Sequence, residues 1–205
     1  MLHFERLYAA QGCNRIAGID EAGRGPLAGP VVAAICILPE GSSFQGLNDS
    51  KQVSEAHRAR LFDEITEQCD FAIGIADAAE IDRFNILKAT FFAMGRAVAQ
   101  LRQKPDLILI DGHLAPSFGI HTVPIVGGDA KSYSIAAASI LAKVTRDRIM
   151  LKFHEQFPQY GFAIHKGYGT PDHLEAIQSF GPCAIHRKSF QPIKSLSNDQ
   201  LDFSY

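Results

Sequence analysis

The chain has 205 residues, 46% of them apolar, with 20 Lys+Arg against 22 Asp+Glu and a net charge of −2. That is enough to bury one full core, and it excludes a protein held on nucleic acid by overall basicity. No run approaches membrane-spanning length, Glu5 and Arg6 stand where a signal peptide needs its apolar stretch, and Cys13, Cys36, Cys69 and Cys183 are too scattered for a zinc or redox motif, so a cytoplasmic protein with reduced thiols is expected.

In chain order, residues 15–20 and 31–38 are short apolar runs bounded by glycine and proline, which predicts two buried strands joined as a hairpin. Ser54 is a plausible N-cap, and Leu61, Phe62, Ile65 and Cys69 mark one face of the helix that follows. Residues 71–76 read as a strand, 86–104 as a helix stopped at Pro105, and 107–111 as another strand. A strand over 122–126 is broken by Gly127-Gly128. A long helix over 134–157 opens with the small residues Ala136-Ala137-Ala138-Ser139 and turns basic toward Lys143, Arg146 and Arg148. Thr170-Pro171 begins a final helix that ends before Gly181, and the last ten residues are expected to be irregular. Strands first, then strands alternating with helices, predict an α/β fold: a mixed sheet between helical layers, with active groups at the carboxyl ends of its central strands.

Two such ends are acidic. The first run closes on Asp20-Glu21, and the next nine residues hold three glycines, two prolines and Arg24. Half-buried neighbouring carboxylates repel one another and lose solvation, so they call for a cation or a shared proton. The glycines let another backbone approach, and Arg24 offers a planar fork suited to phosphate. A solvated strand end with a tight turn is the plainer alternative. Asp111 repeats the pattern of four apolar residues, an acid and a glycine, although aspartate also starts turns. Asp129 follows two glycines just before a helix, where it can cap the helix and still bind metal. Asp147, between Arg146 and Arg148, reads as a salt-bridged surface group and is left off the site. An all-oxygen set suits Mg²⁺ or Mn²⁺, and two ions about 4 Å apart would clamp both oxygens of an in-line phosphoryl displacement. Neighbours in a regular strand face opposite ways, so the strand is expected to end or bulge at Asp20 and Glu21.

Five motifs in order, Asp20-Glu21-Ala22-Gly23-Arg24-Gly25-Pro26, Asn48-Asp49-Ser50-Lys51, Ile110-Asp111-Gly112, Ala136-Ala137-Ala138-Ser139-Ile140-Leu141-Ala142-Lys143 and His165-Lys166-Gly167-Tyr168-Gly169-Thr170, make the chain resemble bacterial ribonuclease HII over about residues 17–194. The resemblance implies a single ribonuclease H-like domain with a five-stranded mixed sheet flanked by helices. Within it, residues 15–157 would form the catalytic core and 158–205 a C-terminal helical, substrate-binding extension. It implies endonucleolytic cleavage of RNA in RNA–DNA hybrids and 5′ to a single ribonucleotide in duplex DNA, leaving 3′-hydroxyl and 5′-phosphate ends. Asp20, Glu21, Asp111 and Asp129 would be the catalytic, Mn²⁺- or Mg²⁺-binding acids, Asp129 holding the place that varies most among relatives.

By the same likeness, the backbone of Gly23, Arg24 and Gly25 would meet the 2′-hydroxyl that distinguishes RNA from DNA. Tyr168 would pack on the sugar at the RNA–DNA junction, unless it only bridges core and solvent. Lys51, Lys143, Lys166 and Arg187 are candidate phosphate contacts, each also readable as a solvated surface charge. The expected partner is a hybrid or ribonucleotide-containing duplex, not a membrane. The enzyme is expected to be a monomer, and a sliding-clamp contact is not legible. His113, Gly127 and Lys188 depart from the usual asparagine, lysine and arginine. His113 places a titratable ring beside Asp111 and is expected to tune pH dependence or metal preference without being essential. A junction resolvase would not need the Gly-Arg-Gly and tyrosine pair. A non-catalytic hybrid binder would not gather four acids, and a small-molecule phosphatase would be indifferent to duplexes.

Overall fold

The computed structural model describes residues 1–48, 50 and 53–199. Its helices are α1 (His3–Ala9), α2 (Glu55–Gln68), α3 (Ala78–Phe84), α4 (Ile86–Gln100), α5 (Tyr133–Gln156), α6 (Phe162–His165), α7 (Pro171–Phe180) and α8 (Ile193–Asp199). Its strands are β1 (Ile16–Ala22), β2 (Val31–Ile37), β3 (Asp70–Ala76), β4 (Leu107–Asp111) and β5 (His121–Ile125). They form one sheet in the order β3-β2-β1-β4-β5. β1 and β2 pair antiparallel, as do β2 and β3, while β1 with β4 and β4 with β5 are parallel. The mixed sheet and the β1–β2 hairpin are as the sequence predicts. β5 carries Pro124 and is largely open to solvent, which suits its place at the edge.

Alternation along the strands sends Ala17, Ile19, Ile108 and Ile110 to one face, where they pack on Ala89, Ala93, Met94 and Ala97 of α4. Leu107 and Leu109 face the other way, onto Ile135 of α5. On that same side Ala34 and Cys36 meet Leu61 and Ile65 of α2 and the alanine-rich start of α5. The helices approach very closely: a Cβ at Gly18 would overlap the Ser134 carbonyl carbon, and one at Gly74 would overlap the Ala93 carbonyl oxygen. Small residues on α5 and on β1 are therefore two sides of one contact.

Several elements differ from the sequence reading. α4 ends at Gln100 rather than 104, because Leu101 turns to an extended conformation and packs back on the core. α3 was not anticipated, although Asp77 and Glu80 form a reciprocal capping box at its start. α8 takes up residues 196–199 of the tail expected to be irregular. Nor was α1 foreseen. Its Glu5 Oε1 accepts hydrogen bonds from Ser132 Oγ (2.6 Å), Ser134 N (2.9 Å) and Ser134 Oγ (2.9 Å), so α1 caps the helix that carries the floor of the sheet's acidic end.

After α5 the chain folds back onto the loop between β1 and β2. Leu27 and Ala28 pack with Met150, Tyr160, Phe162 and Ile177. Leu27 N donates to Gly167 O (2.8 Å), Gly29 N to Ile185 O (2.9 Å) and Arg187 N to Leu27 O (2.8 Å). Behind this seam lie His165, His173 and His186, the last two buried. Burial and the facing His173 imidazole depress His186 to about 4, and burial also lowers His165 and His173.

A histidine held neutral in the fold, but free to protonate when unfolded, costs stability as pH falls below its ordinary range. The contribution is intact above about pH 6.5 and is lost progressively toward the folded value of His186, about 4. Thermal unfolding should show a midpoint that drops between pH 7 and pH 5, and His186→Asn should flatten part of that slope. An identical slope in the variant would contradict the assignment.

Candidate active site

The acids meet where the sheet splits. β1 and β4 are paired from Ile16↔Leu107 to Ile19↔Ile110 and no further, yet β1 stays with β2 through Ala22↔Val32 and β4 with β5 through Asp111↔Ile125. Asp20 and Asp111 are thus the first residues beyond a shared parallel ladder, and alternation puts both on the α5 side. Glu21 falls on the α4 side. The expected strand end or bulge is not seen against β2, where the register runs regularly through Asp20↔Ala34 and Glu21↔Ala33; only the β1–β4 ladder stops, at Ile19. Although Asp20 and Glu21 face opposite ways, the charge of Asp111 reaches both.

Electrostatics tie the group together. Burial pushes the Asp20 carboxyl well above the usual range, and the negative fields of Glu21, Asp111 and Asp129 push the same way, against one hydrogen bond from Glu21 N to Asp20 Oδ1 at 2.7 Å. Glu21 is raised by burial and by Asp111, and lowered by Arg24, whose Nη1 lies 3.1 Å from Glu21 Oε1. The other oxygen, Glu21 Oε2, is buried without a hydrogen-bond partner. Asp111 Oδ1 accepts from Gly128 N at 2.6 Å. Asp129 follows in a 3₁₀ turn over Gly128–Ala130 and is nearly buried. The two glycines before it have separate reasons: Gly127 has φ +63°, and a Cβ at Gly128 would stand 2.6 Å from Ile135 Cδ1 and 3.3 Å from Asp111 Oδ1.

This donor set fits a hard divalent cation. It is all carboxylate, it repels itself, and one buried oxygen lacks a partner. As the side chains stand, no three Asp, Glu, His or Cys residues among those described converge in ligating geometry. Glu21, Asp20 and Asp111 are instead engaged by Arg24, Glu21 N and Gly128 N respectively, bonds that an ion would exchange for its own. Glu21, Arg24, Asp111 and the exposed His113 line a cavity of about 180 Å³ against Leu87, Thr90, Phe91 and Met94. Larger cavities lie elsewhere, including one of about 470 Å³ beside α3 and Ser189, but none of those holds the acids.

The glycine loop is held by two buried arginines. Arg187 is fully buried and donates from Nε to Gly29 O (3.0 Å), from Nη1 to Arg24 O (2.9 Å), and from Nη2 to Gly23 O (2.5 Å) and Gly29 O (2.9 Å). Burial and the neighbouring Arg146 lower it to about 9. Its reading as a phosphate contact is corrected: the guanidinium braces the loop from behind and has no free face. Arg146, also buried, donates to Pro30 O (3.1 Å) and Ala28 O (3.2 Å). Sequence reasoning placed Arg146 on a basic surface and missed it; its spacing four residues before Met150, which packs at Gly29, is the signal that marks the inner face of α5. Tyr168 is 47% exposed, and a Cβ at Gly25 would stand 3.6 Å from its Cε1, so the tyrosine ring lies beside the loop with room for no more than a small group between them.

The lysines are less concerted. Lys143 Nζ pairs with Asp147 at 2.8 Å, so Asp147 is ion-paired with Lys143 rather than with its flanking arginines. Lys166 Nζ donates to Ala163 O within its own turn. Lys51 lies outside the described residues, and Lys188 is exposed.

A family model described as Ribonuclease HII matches residues 17–193. A ribonuclease HII of Ruminiclostridium cellulolyticum is 54% identical over 191 residues, covering 93% of this chain and 75% of that protein. One from Coxiella burnetii is 56% identical over 182 residues, covering 88% and 90%. The crystal structure of the ribonuclease H2 from Pyrococcus horikoshii OT3 superposes with a TM-score of 0.76 at 27% identity, covering 92% of this chain and 99% of that one.

Removing the brace should cost far more than removing an exposed charge. Arg187→Ala leaves three carbonyls, those of Gly23 and Gly29 buried, without their donor and should lower unfolding free energy by about 2–4 kcal/mol, whereas Lys188→Ala should stay within about 0.5 kcal/mol, both read from urea denaturation.

Proposed function

This chain belongs to the ribonuclease HII family, and from that premise we propose how its residues divide the work of cutting RNA. The enzyme is a ribonuclease H endonuclease that hydrolyses the RNA strand of RNA–DNA hybrids, and its activity depends on a divalent metal. Asp20, Glu21, Asp111 and Asp129 are the residues proposed to hold it, as Mn²⁺ or Mg²⁺. Bound there, the metal would supply an activated water and neutralise charge on the scissile phosphate. The observation that supports this reading best is the gathering of mutually repelling, desolvated acids at the point where β1 parts from β4.

Recognition of the ribonucleotide is assigned to Gly23, Arg24, Gly25 and Tyr168. Arg187 draws the carbonyls of Gly23 and Arg24 inward. In trans peptides the amides of Arg24 and Gly25 then point the opposite way, toward an incoming 2′-hydroxyl. Tyr168, against Gly25, would pack on the adjoining sugar. Arg24 holds Glu21 until substrate arrives and can then turn its fork to phosphate. Lys51, Lys143 and Lys166 are assigned to the duplex backbone, where they would position without reading. Cleavage 5′ to a single ribonucleotide in duplex DNA, with 3′-hydroxyl and 5′-phosphate products, completes the proposal. The enzyme is proposed to act as a cytoplasmic monomer; its four cysteines are free thiols, and among the described residues no helix is long and apolar enough to cross a membrane.

A labelled DNA duplex carrying one ribonucleotide, set beside an all-DNA control, tests both halves. Asp111→Asn should reduce turnover by roughly 10³-fold, about 4 kcal/mol, while a gel-shift assay still detects binding. Tyr168→Phe should lose activity about fivefold. Equal cutting of the all-DNA control by the wild type would defeat the assignment of ribonucleotide sensing.

A further inference from the structure

Behind Tyr168 runs a chain of buried imidazoles that the proposed chemistry does not use. His173 is wholly buried on α7, and His186 is 2% exposed in the segment whose main chain bridges Ala28 of the glycine loop. His186 Nε2 lies 3.1 Å from His173 Nε2, and His173 Nδ1 lies 2.8 Å from the carbonyl oxygen of Tyr168. His165 stacks on His173 with ring centres 4.4 Å apart.

The proton positions follow from the partners. A neutral imidazole has one donor and one acceptor. Cys183 N donates to His186 Nδ1 (2.9 Å), so His186 carries its proton on Nε2 and donates it to His173 Nε2. His173 is left with its proton on Nδ1, and it donates that to Tyr168 O. At the other end Gly167 N donates to His165 Nδ1 (3.1 Å), and His165 Nε2 donates to Tyr160 O (2.7 Å). Every ring is satisfied in one tautomer only. A network that admits a single proton arrangement also fixes its geometry.

We propose that His186 and His173 are positioning residues for ribonucleotide recognition, a two-ring strut that carries the placement of the glycine loop to the main chain of Tyr168. The inference rests on the assignment of Tyr168 and Gly25 to substrate recognition. His186 is adjacent in sequence to Arg187, which holds Gly23, Arg24 and Gly29. One end of the strut is therefore anchored to the loop that meets the 2′-hydroxyl, and the other to the residue that meets the sugar. The Tyr168 carbonyl also accepts from Thr170 N at 2.8 Å, so breaking the strut shifts Tyr168 without releasing its loop. With Tyr168 Cε1 only 3.6 Å from where a Cβ at Gly25 would stand, a shift of a few tenths of an ångström changes the width of the gap proposed to receive the sugar.

A double-mutant cycle on the single-ribonucleotide duplex tests the strut. His186→Asn keeps an acceptor near Cys183 N but cannot reach His173, and should lower kcat/KM roughly fivefold in the wild-type background. In a Tyr168→Ala background the same change should have no further effect. His186→Gln, whose amide nitrogen can stand near the lost Nε2, should restore most of the activity. His173→Asn, which keeps a donor toward Tyr168 O and drops the link to His186, gives a second route to the same cycle if His186→Asn folds poorly by circular dichroism. Equal losses with and without Tyr168, or no rescue by His186→Gln, would overturn the proposal. A wild type that cuts all-DNA and ribonucleotide duplexes alike would instead overturn the recognition reading beneath it, a result that needs no variant at all.

Discussion

Like charge confined to a small, desolvated space is the constraint around which this molecule is arranged. Burial raises the affinity of Asp20 and Glu21 for protons, the charge of Asp111 adds to both and that of Asp129 to Asp20, while Arg24 brings a positive side chain to Glu21. Such a group is unstable in isolation and becomes tolerable when a cation joins it. The sheet concentrates the strain at one point by ending the β1–β4 ladder at Ile19↔Ile110 while each strand keeps its outer partner.

The two buried arginines answer a different need. Neither is matched to a carboxylate; both are matched to main-chain carbonyls of one loop. A guanidinium presents five donors in a plane, so one side chain can fix several peptide groups at once. A glycine-rich loop pays heavily in entropy to become ordered. Arg146 enters from α5 and Arg187 from the returning chain, and between them they fix the main chain of residues 23–30 where its glycines offer no side chain to pack. The loop stays open to a ligand because its supports are all on the inner side.

Much of this arrangement is legible in the order of the residues. Asp20-Glu21 and Asp111 stand out because each comes at the end of an apolar run with glycine close behind, a pattern that combines burial with chemistry within a few residues. Strands β1 to β5 and the long helices follow from apolar runs and 3.6-residue periodicity. The Asp77 and Glu80 capping box could have revealed α3, whereas α6 has only four residues and too little periodicity to register. Arg146, Arg187 and the histidines were misread or overlooked for another reason. Their partners are backbone carbonyls, amides and rings that lie more than ten residues away in most cases, and a carbonyl leaves no mark in a sequence. Regular strand geometry also misled in one respect, since β1 neither ends nor bulges against β2 at Asp20 and Glu21.

The cap that α1 places on α5 has a wider bearing. Glu5 satisfies Ser132 and Ser134, three and five residues beyond Asp129, yet it belongs to a stretch that precedes the region matched by the family model, residues 17–193. A shared catalytic frame is here completed by a borrowed carboxylate from outside it. In a chain whose leading segment differed, the start of this helix would have to be closed by other means, and the turn at Asp129 just before it would lose that support.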